Sequence, residues 1–206
     1  MASVIISGDT SGSVTLSAPA TAGSNTIVLP SGSGTLTLPT GTATLTANGL
    51  NSNIVSGTAQ ASTSGTIITF TSIPSWVKRI TLILNSVSTS GTSAIQAQIG
   101  SGSITTSGYV STGITVSSTG TTTTSTSGFV VGSSGGSGDV INGTITLYNI
   151  SGNIWVANAM AAQTNAFIRF GGGTHTTLGG VLDRVALTTV GGTDTFDAGS
   201  INILYE

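Results

Sequence analysis

The sequence predicts an all-β protein: a short amino-terminal β segment, intertwined or β-prism-like in an oligomer, followed by a jelly-roll-like antiparallel β-sandwich. Three observations carry this reading. Thr, Val and Ile, the residues that suit a pleated half-buried surface, dominate the chain. Apolar and polar residues alternate with a period of two, and no stretch of a dozen residues shows a helical period. Gly, Ser, Asn and Pro clusters break the alternation at short intervals, as turns do.

Composition narrows the classes further. Ser (31), Thr (38) and Gly (30) make up 99 of the 206 residues, yet 37% of the chain is hydrophobic and charge is sparse. Disordered chains combine low hydrophobicity with high charge, so order is expected. Four basic and six acidic residues, one His and no Cys leave little material for general acids, bases or thiolate metal sites. Lys78, Arg79, Arg169 and Arg184 cannot neutralise a phosphate backbone, so no nucleic-acid partner is expected. No apolar run approaches the roughly 18 residues of a membrane span, and no membrane insertion is expected. The opening MASVIISGDT has no basic or long apolar region, so no secretory leader is expected.

In the amino-terminal segment, 1–49, short strands are read at 13–16, 26–29, 35–38 and 44–46. Each has one aliphatic face. There is no aromatic residue, and Asp9 is the one charged side chain. So thin a stripe cannot stabilise fifty residues alone, so the segment self-associates or adds a strand to another protein. Thr35, Thr37, Thr42, Thr44 and Thr46 form the polar side of these strands; a Thr ladder that orders water needs a longer, stricter repeat.

Residues 50–65 lose the alternation and read as a linker. The sandwich is expected over 66–206, with strands at 66–71, 79–85, 94–99, 109–117, 128–131, 140–150, 153–162, 166–171, 184–189 and 200–204. All five Phe, both Trp and all three Tyr lie here, so this part has a core. Strand 153–162 is apolar on both sides: Ile154, Val156 and Met160 on one, Trp155, Ala157, Ala159 and Ala161 on the other. Either the outer face is covered by another subunit or a loop, or the strand is central to a thick core.

Residues with catalytic chemistry are few. His175 would need a Ser and an acid delivered to it. Gly132-Ser133-Ser134-Gly135-Gly136 matches a nucleophile-elbow string but lacks the strand-turn-helix context. Asp194 and Asp197 are candidate paired carboxylates or hard-cation ligands, although Asp between glycines commonly accepts hydrogen bonds from its own turn. Asp183 and Arg184 read as a loop ion pair, and Gly171–Gly173 has no phosphate-cradling context. No catalytic residue, cofactor or metal site is assigned, and no enzyme activity is expected.

Three stretches carry a resemblance. Residues 8–30, GDTSGSVTLSAPATAGSNTIVLP, resemble the amino-terminal module of many tailed-bacteriophage fibre and virion structural proteins. Residues 70–81, FTSIPSWVKRIT, and the ending LDRV (182–185) through DTFDAGSINILYE (194–206) are similar to a carboxy-terminal module of phage tail-fibre proteins, notably of phages infecting aquatic bacteria. The resemblance implies a trimeric virion component, assembled in the host cytoplasm, with one end anchored in the particle and the other projecting. It implies other virion proteins as partners and a host-surface glycan as a further one. The expected function is a trimeric short tail-fibre subunit. The alternatives are a capsid-bound decoration or head-fibre protein, and a polysaccharide depolymerase.

Overall fold

Two strands near the start pair by themselves. In the computed structural model, which describes residues 3–7, 13–17, 54–133 and 135–206, β1 (Ser3–Ser7) and β2 (Ser13–Ser17) form an antiparallel ladder. Its register runs from Ser3 opposite Ser17 to Ser7 opposite Ser13. The second strand is the expected one at 13–16; the strands expected at 26–29, 35–38 and 44–46 lie outside the described residues. Contacts divide the chain at Leu50/Asn51, giving two units.

The second unit is all-β, with no helix among the described residues. Its first strands, β3 (Val55–Ser56) and β4 (Gln60–Ala61), lie in the stretch read as a linker, and both pair with the last strand, β16 (Phe196–Tyr205). Between them run β5 (Ile67–Phe70), β6 (Arg79–Thr89), β7 (Ile95–Ser101), β8 (Ser103–Ile104), β9 (Tyr109–Val116), β10 (Thr121–Ser125) and β11 (Phe129–Val130). Then follow β12 (Ile141–Ser151), β13 (Ile154–Gln163), β14 (Phe167–His175) and β15 (Arg184–Thr189).

Eight of these strands pair in nested fashion, like one long hairpin: β4 with β16, β5 with β15, β6 with β12, and β7 with β11, all antiparallel. Successive pairs alternate between two sheets. One sheet has the order β10-β9-β14-β13-β12-β6-β16-β3, with β4 also on β16; the other has β11-β7-β15-β5, with β8 on β7. The β9–β10 and β13–β14 hairpins are insertions in this plan. They join the large sheet beyond β12 through the β14–β9 pairing.

The two sheets pack face to face into a sandwich-like core because alternation puts aliphatic residues on the facing sides. Ile80, Leu82, Leu84, Ile145, Leu147, Ile201 and Ile203 of the large sheet meet Ile68, Phe70, Ile95, Ile99, Val185 and Leu187 of the small one. Each such side chain contributes about 1.5–3 kcal/mol on leaving water.

Where β6 and β16 run side by side, both strands bulge. Ser86 (φ 54°) and Gly199 (φ 92°) hold left-handed conformations, and the ladder register shifts twice between Phe196 and Ser200. β6 and β16 continue through these bulges, past the expected bounds at 85 and 200, which fall short because period-two alternation fails across a bulge.

The pairing of β6 with β16 also brings the two carboxy-terminal sequence motifs together. The backbone N–H groups of Lys78 and Arg79 each donate to the Glu206 carbonyl at 2.8 Å, Arg79 and Glu206 form an ion pair, and Trp76 packs on Tyr205 with ring centroids 6.0 Å apart.

Candidate functional sites

The inserted strands have a graded inner face. From one end, cross-strand rows place Trp155, His175 and Tyr109 side by side, then Ala157, Gly173 and Ser111, then Ala159, Gly171 and Gly113, then Ala161, Arg169 and Thr115. The small residues in the middle let β11 cross at backbone distance. A Cβ on Gly171 would overlap the Val130 carbonyl oxygen, and one on Gly113 would come within 2.8 Å of the Gly132 nitrogen. The Val130 N–H donates to Ser111 Oγ at 3.0 Å, so the close approach is also hydrogen-bonded.

At the polar end lies a buried cation. Arg169 is 1% exposed; its Nε donates to Gln163 Oε1 and its Nη1 to the Ser133 carbonyl, both at 2.7 Å. Burial pulls the guanidinium pKa below its ordinary value, and the Asp139 carboxylate opposes that shift. Asp139 is held in turn: Asn165 Nδ2 donates to its Oδ1 at 2.9 Å, and the Gly136 N–H donates to its Oδ2. Gly135 passes beside both charged groups, where a Cβ would overlap Arg169 Nη2 and come within 2.8 Å of Asp139 Oδ2.

Above this network is a cleft of roughly 260 Å³, lined by Thr115, Ser117, Thr121, Gln163, Phe167 and the loop carrying Asp139. Gln163 is 6% exposed, its Oε1 is taken by Arg169, and its Nε2 has no hydrogen-bond partner among the described residues. A second cleft, roughly 330 Å³, lies against Gln96, Gln98 and Thr188. Its amides are internally occupied: Gln96 bonds Ser125, Ser127 and the Thr189 carbonyl, and Gln98 bonds the Ser127 carbonyl. These groups brace the loop after β10, while Thr189 Oγ1 in the same wall is buried with no hydrogen-bond partner among the described residues.

The outer face of the same strands is apolar. Met160 lies opposite Phe170, Phe170 opposite Ile114, Ala162 opposite Ile168, and Ile168 opposite Val116. Met160 is 60% exposed, Phe170 and Val116 44%, and Ile168 41%. No charged residue interrupts these rows. Of the two accounts of strand 153–162, the thick core is corrected: its Trp155, Ala157, Ala159 and Ala161 side is buried, while Met160 opposite faces outward.

Residues singled out by type are used structurally. His175 is buried edge-on to Tyr109, with centroids 4.6 Å apart, and its Nε2 lies 3.1 Å from the Ser107 carbonyl. Its Nδ1 is buried with no hydrogen-bond partner among the described residues, so neither a Ser hydroxyl nor a carboxylate is joined to it there. Ser134 lies outside the described residues, and no helix follows its loop. Asp194 accepts the Ser93 N–H at 2.8 Å, a bond across to another loop where its own turn backbone was expected. Asp197 is exposed on β16. Among the described residues, no group of three His, Cys, Asp or Glu side chains is placed to hold a metal. Arg184 makes a two-pronged ion pair with Asp183, at 2.8 and 3.2 Å. Gly171–Gly173 lie within β14.

Sequence reasoning by residue type missed Arg169, Gln163 and Asp139. A signal was present for the first: Arg169 shares its strand parity with Gly171 and Gly173, on the side opposite Ile168 and Phe170. A cation on the inward side of a strand needs partners, and the chain has few carboxylates to supply them. Comparison of the chain with family models, with curated proteins and with solved structures finds no match in any of the three.

Proposed function

We propose that this chain is a structural subunit of a phage particle, a short trimeric tail fibre. Its amino-terminal segment attaches and trimerises, and its sandwich forms the projecting head. The observation that carries self-assembly is the uncharged outer face built from Ile114, Val116, Met160, Ile168 and Phe170. Large side chains in adjacent cross-strand positions make one continuous apolar patch, and such patches mark interaction sites. A second copy of the same chain is the partner that the composition favours. With ten charged residues in 206, little charge stands in the way of packing one copy against another.

The nested pairing of β4·β16, β5·β15, β6·β12 and β7·β11, alternating between sheets, supports a jelly-roll core. That architecture recurs in viral capsid and lectin domains. The resemblance of residues 8–30, 70–81 and 194–206 to phage fibre modules supports the location on a virion.

Two measurements test the reading. The mass in solution is expected to be three times the 20.2 kDa protomer, and Phe170→Lys is expected to lower it while the far-ultraviolet circular dichroism of the folded protomer stays unchanged. A monomer at micromolar concentration for the unaltered chain overturns the assembly. Antibody labelling of intact particles is expected to decorate the tail; labelling confined to the capsid overturns the tail assignment.

A further inference from the structure

We propose that two copies of this chain join edge to edge, β10 against β10, in an antiparallel two-fold ladder. The second unit has two sheets and so four edges, and three of them are guarded. β11, β3 and β4 are each two residues long, and on β5 the Thr69 carbonyl is taken by the Gln60 side chain at 3.0 Å. Short edges and covered backbone groups are common defences against strand addition. β10 lacks them. Thr121–Ser125 pair with β9 in unbroken register, without a bulge, a Pro or a charge. No charged residue occurs between Arg79 and Asp139, and Thr121, Thr122 and Thr124 are exposed.

Backbone direction decides which groups this edge offers. The Tyr109 N–H donates to the Thr126 carbonyl at 3.3 Å, on the β10 side of β9. Alternation along β9 then aims Ser111, Gly113 and Thr115 at Ser125, Thr123 and Thr121. Thr122 and Thr124 therefore turn their N–H and C=O groups to the open side. No hydrogen bond from elsewhere among the described residues reaches them.

These groups are self-complementary about Thr123. With a second β10 turned end for end and Thr123 opposite Thr123, Thr122 faces the second copy's Thr124, and Thr124 its Thr122. Both are hydrogen-bonded pairs, each exchanging two N–H···O bonds, and every cross-strand neighbour is Thr or Ser. The two-fold runs along the sheet normal, so the two large sheets become one. The outer row Thr122, Ile114, Phe170 and Met160 then lies on the same side in both copies, continuous with the apolar face. A second β10 is the partner that matches in length, direction and lack of charge, as an isologous contact requires. Two such pairs make a weak contact against the cost of association. It forms at high concentration, or where copies sit side by side on one particle.

The test is sedimentation equilibrium of the full chain from about 5 μM to about 1 mM, the range in which a weak contact saturates. The mass found at micromolar concentration is expected to double toward the upper limit. Thr124→Pro removes an outward N–H at an edge position that accepts Pro, and is expected to keep native-like amide dispersion and lose the doubling. Thr123→Lys and Thr123→Glu each set like charges directly opposite across the two-fold. Each is expected to weaken the pairing about two- to fivefold, and an equimolar mixture of the two to recover it, which keeps the proposal testable if the Pro variant fails to fold. A mass that does not rise with concentration overturns the proposal, as does doubling that persists in folded Thr124→Pro. So does a mixture of the charged variants that pairs no better than either alone. A monomer that doubles overturns the trimer and keeps this contact, and a trimer that does not double does the reverse.

Discussion

Tyr109 shows how much one buried side chain is asked to do. Its hydroxyl accepts the Ile99 N–H at 2.8 Å and bonds the Thr105 carbonyl at 3.0 Å, while its ring meets Phe129 and His175 edge-on. Burial pushes its pKa up to about 12. The unfolded chain ionises near pH 10, so the folded state holds its proton longer as pH rises. This contribution to stability is therefore complete below about pH 10 and is lost between about pH 10 and 12, by about 3 kcal/mol in all. Urea midpoints measured across that window should fall for the native chain and fall less for Tyr109→Phe. At neutral pH the same variant should lose about 1–2 kcal/mol, because the Ile99 N–H is left buried without an acceptor. Arg169 makes the opposite demand. Arg169→Met should cost about 3–5 kcal/mol by thermal or urea denaturation, since Gln163 Oε1 and the Ser133 carbonyl lose their donor and Asp139 its countercharge. Arg169→Lys should not restore it, because one ammonium cannot span both acceptors as the guanidinium fork does.

At the scale of elements, β14 shows why strand ends resist reading from sequence. Its expected span ended at 171, yet it continues through three glycines to His175. Glycine is a poor strand former, and the local signal stops there. What keeps the strand going is β11 lying across it. Adjacent glycines should therefore respond very differently to a methyl group. Gly171→Ala should destabilise by several kcal/mol through overlap with the Val130 carbonyl. Gly172→Ala, on the outer face and 3.2 Å from the nearest atom, should cost about 1 kcal/mol or less. Equal melting temperatures for the two variants would contradict this packing. β10, a run of Thr residues on an edge, escaped notice because it offers no alternation, and β3, β4 and β8 because two residues cannot show a period. Strand 109–117, with clear alternation, and strand 184–189, a short run set between turn residues, were legible almost to the residue.

For the whole molecule, the contact boundary at Leu50/Asn51 makes a definite claim about cooperativity. A chain beginning at Asn51 should keep a sharp thermal transition and native-like amide dispersion, because β3 and β4 are retained and β16 keeps its edge partners. Loss of the transition would mean that the first fifty residues are part of the same cooperative unit. The candidate cleft was the least legible feature in the sequence. Asp139, Gln163 and Arg169 come from a loop and two strands, and each looks ordinary alone. They converge because the β9–β10 and β13–β14 insertions join one sheet beside the loop after β11.

By itself the sequence determined that the described residues are all β, where the aromatic core begins and which strand faces are apolar, because those properties follow from local propensity and a two-residue period. Only the tertiary structure decided which strands neighbour one another, that a glycine floor admits a crossing strand, and that a buried arginine stands behind a polar cleft. Those depend on contacts between residues far apart in the chain, and hydrophobic alternation is the same whichever partner a strand finds.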